Sequence, residues 1–473
     1  MKFNIKKSSQ TTKNYEGGEA YIPTHKNELL MRVLSSFAGE NSFYKSGSEL
    51  DAELRECIAK NDPEFVLKLA YYARHHMHLR STPVVLMGEY ALGKRRFSGA
   101  WKYIAATITR PDEITELCAY VIGQNKMRKI YTGKLPHVIK KGVAAAFGKF
   151  DEYQLAKYNR SGDITLKDAM FLTHPKRTEL TDKLTNGTIK TPDTWETYIS
   201  AHGSSRETWE AILPKMPYMA TLRNLRNVEQ HECDLRPVAA KIANKEAVLK
   251  SRQLPFRFFS AYREVGSTIL MDALQDAIEV SVNNAPKFEG KTLVLVDVSA
   301  SMDSRVSDKS KVNLSDIAAL FGAMLHKLNP HNTDVVSFAE GFQHVTLSSR
   351  DGILTNMGKI QNVNVGYATY AHKPIEDAMA KGIKYDRIIL LSDMQVYNVG
   401  GSTSFKVSLN KYKAAVNKNV LLYSFNLAQY GQLAVPEQNT VLVSGWSDNV
   451  LKFIAAYEGD KETMLKEIEA TQI

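Results

Sequence analysis

Cysteine is scarce in this 473-residue chain: Cys57, Cys118 and Cys233 lie far apart and leave an odd one over. That spacing argues against a disulfide framework or a thiolate zinc site and fits a reducing, cytoplasmic compartment. No apolar run is long enough to cross a bilayer, which excludes a membrane partner. The basic residues at the start of the chain are followed by no apolar segment, so residues 1–21 do not read as a secretory signal. No general base or nucleophile–histidine pair accompanies the polar clusters described below, which argues against an enzyme. No exact repeat recurs at a fixed period.

What is present is a globular composition, 44% hydrophobic and 24% charged, on a chain too long for one ordinary core. The net charge of +10 resides in residues 1–290, while residues 291–473 sum to zero. The basic part is densest in lysine at QNKMRKIYTGKLPHVIKKGVAAAFGKF (124–150). Such a surface attracts polyanions, nucleic acid foremost, through phosphate contacts and counterion release; the plain alternative is a solvated helical face. Lys126, Arg128, Lys129, Lys134, His137, Lys140 and Lys141, with Tyr131 among them, mix cations with planar side chains. That mixture suits RNA phosphates and unstacked bases. For His137 and His174 the alternative is a neutral histidine satisfied by a backbone carbonyl, the commoner state of any single histidine. The cluster His75, His76 and His78 reads as a helix C-terminal cap rather than a metal site, and Lys94–Arg95–Arg96 as cations at a helix end.

The hydrophobic period divides the chain near residue 285. From about 27 to 285 it is helical. Asn61-Asp62-Pro63-Glu64 opens FVLKLAYYARHHM with a capping residue, a first-turn proline and an acid, and Ser81-Thr82-Pro83 opens VVLMGEYAL in the same way. Further helical runs cover 112–123, 134–150, 205–215 and 218–228, with short gaps. Stacked helical hairpins of a degenerate α-solenoid produce this pattern. After 285, strand-like runs (292–298, 333–339, 387–393, 419–427, 440–445) alternate with helices near 313–329, 370–381 and 408–418 and a terminal helix. Continuously apolar strands of this kind form a mostly parallel sheet covered on both faces. The expected architecture is multidomain, α plus α/β: a helical-repeat domain over 20–285 and an α/β domain over 288–473.

In the second part, LVLVDVSASMDSR (293–305) places Asp297, Ser299 and Ser301 at alternate positions where a buried strand ends. Asp393 ends a second such strand, and Thr369 offers a hydroxyl on the loop GYATYA between them. Two carboxylates and three hydroxyls suit a hard cation, Mg²⁺ or Mn²⁺, rather than zinc or copper. Alternatively, a strand-end aspartate with serines caps the next helix.

These residues resemble the metal-ion-dependent adhesion site of von Willebrand factor A domains, an Asp-x-Ser-x-Ser loop, a threonine and a later aspartate. The resemblance implies metal contacts at Asp297, Ser299, Ser301, Thr369 and Asp393. The A domain follows a basic helical part containing MPYMATLRNLRNV (216–228) and LAKYNRSGDITLKDAMFLTHPK (155–176). In that order, with KTLVLVDVSASM, the chain resembles the Ro autoantigen family, whose helical ring is the TROVE domain; its length and loops resemble the bacterial type. The resemblance implies HEAT-like helices closed into a ring, with the A domain completing it. It further implies that small noncoding Y RNA binds the basic outer surface. The central hole would accept the single-stranded 3′ end of a misfolded RNA. The family's basic contacts map onto Lys157 and His174. A family arginine has no exact counterpart, since Ser161 stands at its place and Arg160 one position earlier. The expectation is an RNA-binding scaffold for RNA quality control or processing, beside an exoribonuclease tethered through RNA. A metal-dependent protein adaptor is the rival, and a metal-assisted nuclease the weakest reading.

Overall fold

The computed structural model describes residues 11–13, 19–21, 25–35, 49–128, 134–190, 192–287, 289–306, 310–393, 405–427, 439–444, 450–459 and 461–473. They divide into two compact units, residues 1–197 with 456–473, and residues 198–455. Among the described residues no helix is long and apolar enough to cross a membrane.

The first unit holds a two-stranded antiparallel ribbon, β1 (Thr11–Lys13) and β2 (Glu19–Tyr21). Its helices are α1 (His25–Ser35), α2 (Glu49–Lys60), α3 (Pro63–His75), α4 (Ser81–Leu92), α5 (Ala100–Thr107), α6 (Pro111–Arg128), α7 (His137–Phe147), α8 (Glu152–Tyr158), α9 (Leu166–Thr173) and α10 (Glu179–Asn186). Each packs on helices one to three further along: α3 on α4 and α5, α4 on α6, α5 on α7, and α6 and α7 on α9. Near-neighbour stacking is the helical-repeat arrangement. Asp62 caps α3 through Glu64 N and Phe65 N with Pro63 in the first turn, as its sequence implies. The start of α4 differs. Ser81, Thr82 and Pro83 lie buried inside the helix, whose cap residue is Arg80, because packing claims this whole short helix. His76 is the C-cap of α3, as a helix-end reading expects, whereas His75 Nε2 lies 3.1 Å from Ala106 O of α5. Arg96 donates to Tyr90 O and Ala91 O at the end of α4, and Arg95 to Asn61 O beyond the end of α2.

The second unit begins within α11 (Trp195–His202) and continues through α12 (Arg206–Ile212), α13 (Tyr218–Arg223), α14 (Leu225–Gln230), α15 (Leu235–Ile242), α16 (Lys245–Ser251), α17 (Pro255–Tyr262) and α18 (Thr268–Ser281). The run expected over 218–228 is thus two helices, broken at Asn224. There follow β3 (Thr292–Asp297), α19 (Leu314–Leu328), β4 (Thr333–Phe338), β5 (Phe342–His344), α20 (Ile353–Gln361), α21 (His372–Ala380), β6 (Arg387–Ser392), α22 (Phe405–Ala415), β7 (Leu421–Asn426), β8 (Thr440–Ser444) and α23 (Val450–Glu458). The six strands run β5-β4-β3-β6-β7-β8, parallel except for the β5 edge. Alternate residues Leu293, Leu295, Val336, Phe338, Ile388 and Leu390 form one core with Ile375 of α21 and Leu409 and Tyr412 of α22. On the other face α19 comes so close at Gly322 that a Cβ there would lie 3.3 Å from Val296 and Ile360. The sheet is therefore covered on both sides, as its continuously apolar strands demand.

Helices α17 and α18 pack on α19 and α20, with Phe256 and Phe321 6.0 Å apart and Phe321 and Phe425 5.6 Å apart. The last helix, α24 (Lys461–Ala470), packs instead on α3 in the first unit. There Ile468 is fully buried, Lys68 Nζ donates to Glu469 O over 2.7 Å, and Tyr103 OH donates to Thr471 O. The compact units therefore cut the chain at places other than the change of hydrophobic period, because burial follows spatial neighbours rather than sequence.

Candidate metal centre and nucleic-acid interface

Strand β3 connects leftward to β4, and β6 rightward to β7, so the adjacent ends of β3 and β6 flank a topological switch point. In open α/β sheets the crevice at such a point is where ligands enter. Asp297 ends β3 and Asp393 follows β6 directly; both are buried, at 0% and 1% exposure. Ser392 donates to Asp297 Oδ2 over 2.6 Å, and Ser299 N to Asp297 Oδ1 over 2.9 Å. Ser299 Oγ and Ser301 Oγ lie 3.2 Å apart on a short 3₁₀ turn anchored by fully buried Met302. The third loop is pinned to the end of β4: Gly341 N donates to Val365 O and Tyr370 N to Ala339 O. It carries buried Thr369. Gly366 turns this loop with φ +84°, and a Cβ there would meet Glu340 at 2.6 Å, so the bend requires glycine.

Burial pushes the Asp297 carboxyl up to about 6, against the lowering effect of hydrogen bonds from Ser299 and Ser392, and the charge of Asp393 adds to the rise. Among the described residues no cation pairs with Asp297. A divalent ion would remove the cost of gathering this negative charge. The donors are all oxygens, and among the described residues no group of three or more His, Cys, Asp and Glu gathers to hold a metal. The arrangement fits a hard cation held by few anionic ligands.

The first unit sorts its cations in two directions. Lys126 is exposed near the end of α6, beside Met127 at 61% exposure. Arg128 turns inward: its NH1 and NH2 lie 3.0 and 2.5 Å from the two carboxylate oxygens of buried Glu89, which also accepts from Tyr120 OH at 2.6 Å. Lys129 lies outside the described residues, as does Tyr131. Lys134 and His137 are exposed at the start of α7 and Lys140 is half-buried. Lys141 is exposed with its Nζ 4.6 Å from the centre of the Trp101 ring, a cation–π contact. Lys149, in the same basic stretch, points to Ala105 O and Ile108 O at the end of α5, where burial lowers its pKa.

Lys157 sits 5.8 Å from the Tyr153 ring one turn earlier on α8, Arg160 is exposed, and His174 is the exposed left-handed C-cap of α9 (φ 52°). Two aromatics singled out by no motif, Tyr153 (49%) and Phe171 (54%), also stand exposed on α8 and α9. The Tyr153–Lys157 spacing of four was the legible signal for the first. Nothing in the pattern marks Phe171, which interrupts an otherwise core-facing run.

A basic helical-repeat part and an A-type α/β domain with an adhesion-type loop define a helical scaffold carrying a ligand-recognition module. The TROVE domain matches residues 24–190 and 185–292, and the Ro60 vWA domain matches residues 291–457. The chain therefore belongs to the Ro (TROVE) family of RNA-binding proteins, scaffolds that bind noncoding RNA. It is 22% identical over 334 residues to mouse telomerase protein component 1, and 22% over 350 residues to the rat protein. These alignments take in 51% and 54% of this chain but only 13% of each relative's length. The crystal structure of the Deinococcus radiodurans Ro (RSR) protein superposes with a TM-score of 0.71 at 16% identity, covering 91% of this chain and 99% of that one, a likeness of fold.

Proposed function

We propose that this chain is a non-enzymatic cytoplasmic RNA scaffold of Ro type. It holds a small Y-like noncoding RNA on the exposed cations of α6–α9. It takes the single-stranded 3′ end of a misfolded or structured RNA through the opening of a helical ring. Its process is RNA quality control or processing, beside an exoribonuclease tethered through the RNA. The observation that supports this most is the grouping on α6–α9 of exposed Lys126, Lys134, His137, Lys141, Arg160 and His174 with exposed Tyr153 and Phe171. Cations grip phosphate sequence-independently, and exposed rings stack on unpaired bases. Asp297, Ser299, Ser301, Thr369 and Asp393 would hold Mg²⁺ or Mn²⁺, which supplies an electrophilic position for a carboxylate or phosphate.

The test compares a hairpin RNA bearing a free single-stranded 3′ tail with a blunt duplex across a salt series. Tighter binding of the tailed RNA with a steep salt slope is expected. Equal affinities with no salt dependence would overturn the reading. A second reading, a metal-dependent protein adaptor, draws on Tyr367, which stands 84% exposed two residues from Thr369. Copurification separates them: a nucleic-acid absorbance ratio favours the scaffold, a clean protein spectrum the adaptor.

A further inference from the structure

A cavity of about 590 Å³ opens in the second unit, outside the residues assigned above to metal or RNA. One wall is the α17–α18 connection, with Tyr262, Arg263, Val265 and then Met271. The other is made by Asp303 and Arg305, which follow the metal loop, and by Lys311 and Asn313, which precede α19. Both walls are held in place. Glu229 accepts from Gly266 N and Ser267 N on the first. On the second, Arg305 pairs with Asn313 as an antiparallel bridge, Val306 N donates to Val312 O, and Leu314 N to Ser304 O.

The lining is zoned. Arg263, Arg305 and Lys311 supply three cations against the single carboxylate of Asp303. Their neutralisation is incomplete. Arg263 lies 3.2 Å from Asp316, while Lys311 shares Glu264 with Arg226 at 3.6 and 3.7 Å. Among the described residues Arg305 has no ion pair, and it is exposed. A phosphate monoester brings a charge of about −1.5 to −2, with oxygens that guanidinium groups hold in bidentate fashion. Val265 and Met271 add an apolar floor and Tyr262 a ring. A bare inorganic anion or a small polycarboxylate offers neither a flat apolar face for that surface nor a donor for the Asp303 carboxylate. A nucleobase satisfies both: its flat face covers apolar surface, and its amino group donates to the carboxylate. The volume lies in the range of about 300–1,000 Å³ usual for small-molecule sites.

We infer that this cavity is a nucleotide site: Arg305, Lys311 and Arg263 take the phosphate, and Asp303 reads an amino-bearing base. None of its lining residues is among the RNA contacts proposed on α6–α9. The nucleotide comes either free or as the terminal residue of a strand, and the two sources share this chemistry.

The experiment is titration calorimetry on the full chain with guanosine 5′-monophosphate, uridine 5′-monophosphate, inorganic phosphate, and a short single-stranded oligonucleotide ending in a 5′-phosphorylated guanosine. Guanosine monophosphate should bind at least fivefold tighter than uridine monophosphate, which has no exocyclic amino group for Asp303, and tighter than phosphate. Arg305→Ala should weaken it at least tenfold without changing the melting temperature, and Asp303→Asn should erase the preference between bases. Saturable binding of the oligonucleotide alone, abolished in Arg305→Ala, also supports the site and assigns it to strand ends. Equal binding of phosphate and guanosine monophosphate, or no saturable binding of any nucleotide probe, overturns it. A Lys140, Lys141 and Lys157 alanine triple variant should keep this binding, so failure of the RNA scaffold and failure of the cavity are told apart.

Discussion

Ser392 Oγ donates to Asp297 Oδ2 across 2.6 Å, joining the ends of two adjacent parallel strands at the switch point of the sheet. The bond orients one oxygen of a buried carboxylate, while Ser299 N holds the other. Both sides of the crevice are thereby set before any ligand arrives. Preorganisation of this sort lets a weakly anionic site bind a cation without rearranging.

The first prediction concerns that site. Added Mg²⁺ or Mn²⁺ should raise the melting temperature of the wild type by linkage, and excess EDTA should reverse the rise. Asp297→Asn should abolish the response while the protein remains folded. Calorimetric melting with and without 5 mM metal, on the order of a hundredfold above a mid-micromolar dissociation constant, should give about 2–3 kcal/mol for the wild type. An equal shift in the variant would place the ion elsewhere.

A second prediction separates the two roles within the basic run. Glu89→Ala should cost about 3–5 kcal/mol, because it leaves Arg128 without its bidentate partner and Tyr120 without its acceptor. Arg128→Ala should likewise act on stability. Denaturant melts check both. A fully stable Arg128→Ala with strongly weakened RNA binding would reverse the assignment and return Arg128 to the interface.

Replacing Lys140, Lys141 and Lys157 by alanine should weaken RNA binding at low salt and flatten the salt dependence, by up to about 0.7–0.9 in log–log slope for each phosphate no longer neutralised. The fold should survive, since the Lys141 and Lys157 contacts to Trp101 and Tyr153 are surface cation–π pairs of about 0.5–1 kcal/mol. Filter binding over a salt series and a circular-dichroism melt give both readouts. Unaltered affinity would move the RNA surface away from α7 and α8.

In the Asp297→Asn variant, which lacks the buried carboxyl whose raised pKa of about 6 acts in the opposite sense, stability should decline as the solution becomes mildly acidic. Burial lowers the pKa of His75, His326 and His372 below the ordinary 6.5. The unfolded chain then binds protons at a higher pH than the folded one, so stability rises with pH across this window. It is fully present above about 6.5 and is lost as the pH falls toward the depressed folded values. Urea titrations between pH 7.5 and 5 should show midpoints falling on the acid side. Replacing His326, whose Nδ1 lies 3.5 Å from Thr333 O, with Gln should reduce that slope.

The amino-acid sequence by itself determined the α/β half almost element by element. Uninterrupted apolar runs such as residues 293–296 and 388–391, alternating with helical runs, read as strands buried on both faces, and Asp297 and Asp393 mark their ends. The short edge strand Phe342–His344 escaped that reading because an exposed edge carries weak periodicity, and helix Ile353–Gln361 escaped it although Ile353, Met357 and Ile360 recur at helical spacing. The order of residues also revealed where positive charge is abundant, but not which way it faces. Only tertiary packing turned Arg128 onto Glu89 and Lys149 onto the end of α5 while leaving Lys126 and Lys141 in solvent. Packing also set Ser392 beside Asp297, 95 residues away, and brought the α17–α18 connection to Asp303, Arg305, Lys311 and Asn313 around a charged cavity. Periodicity is a local property of neighbours along the chain, whereas partners, orientation and enclosure arise from contacts between segments that the sequence does not place side by side.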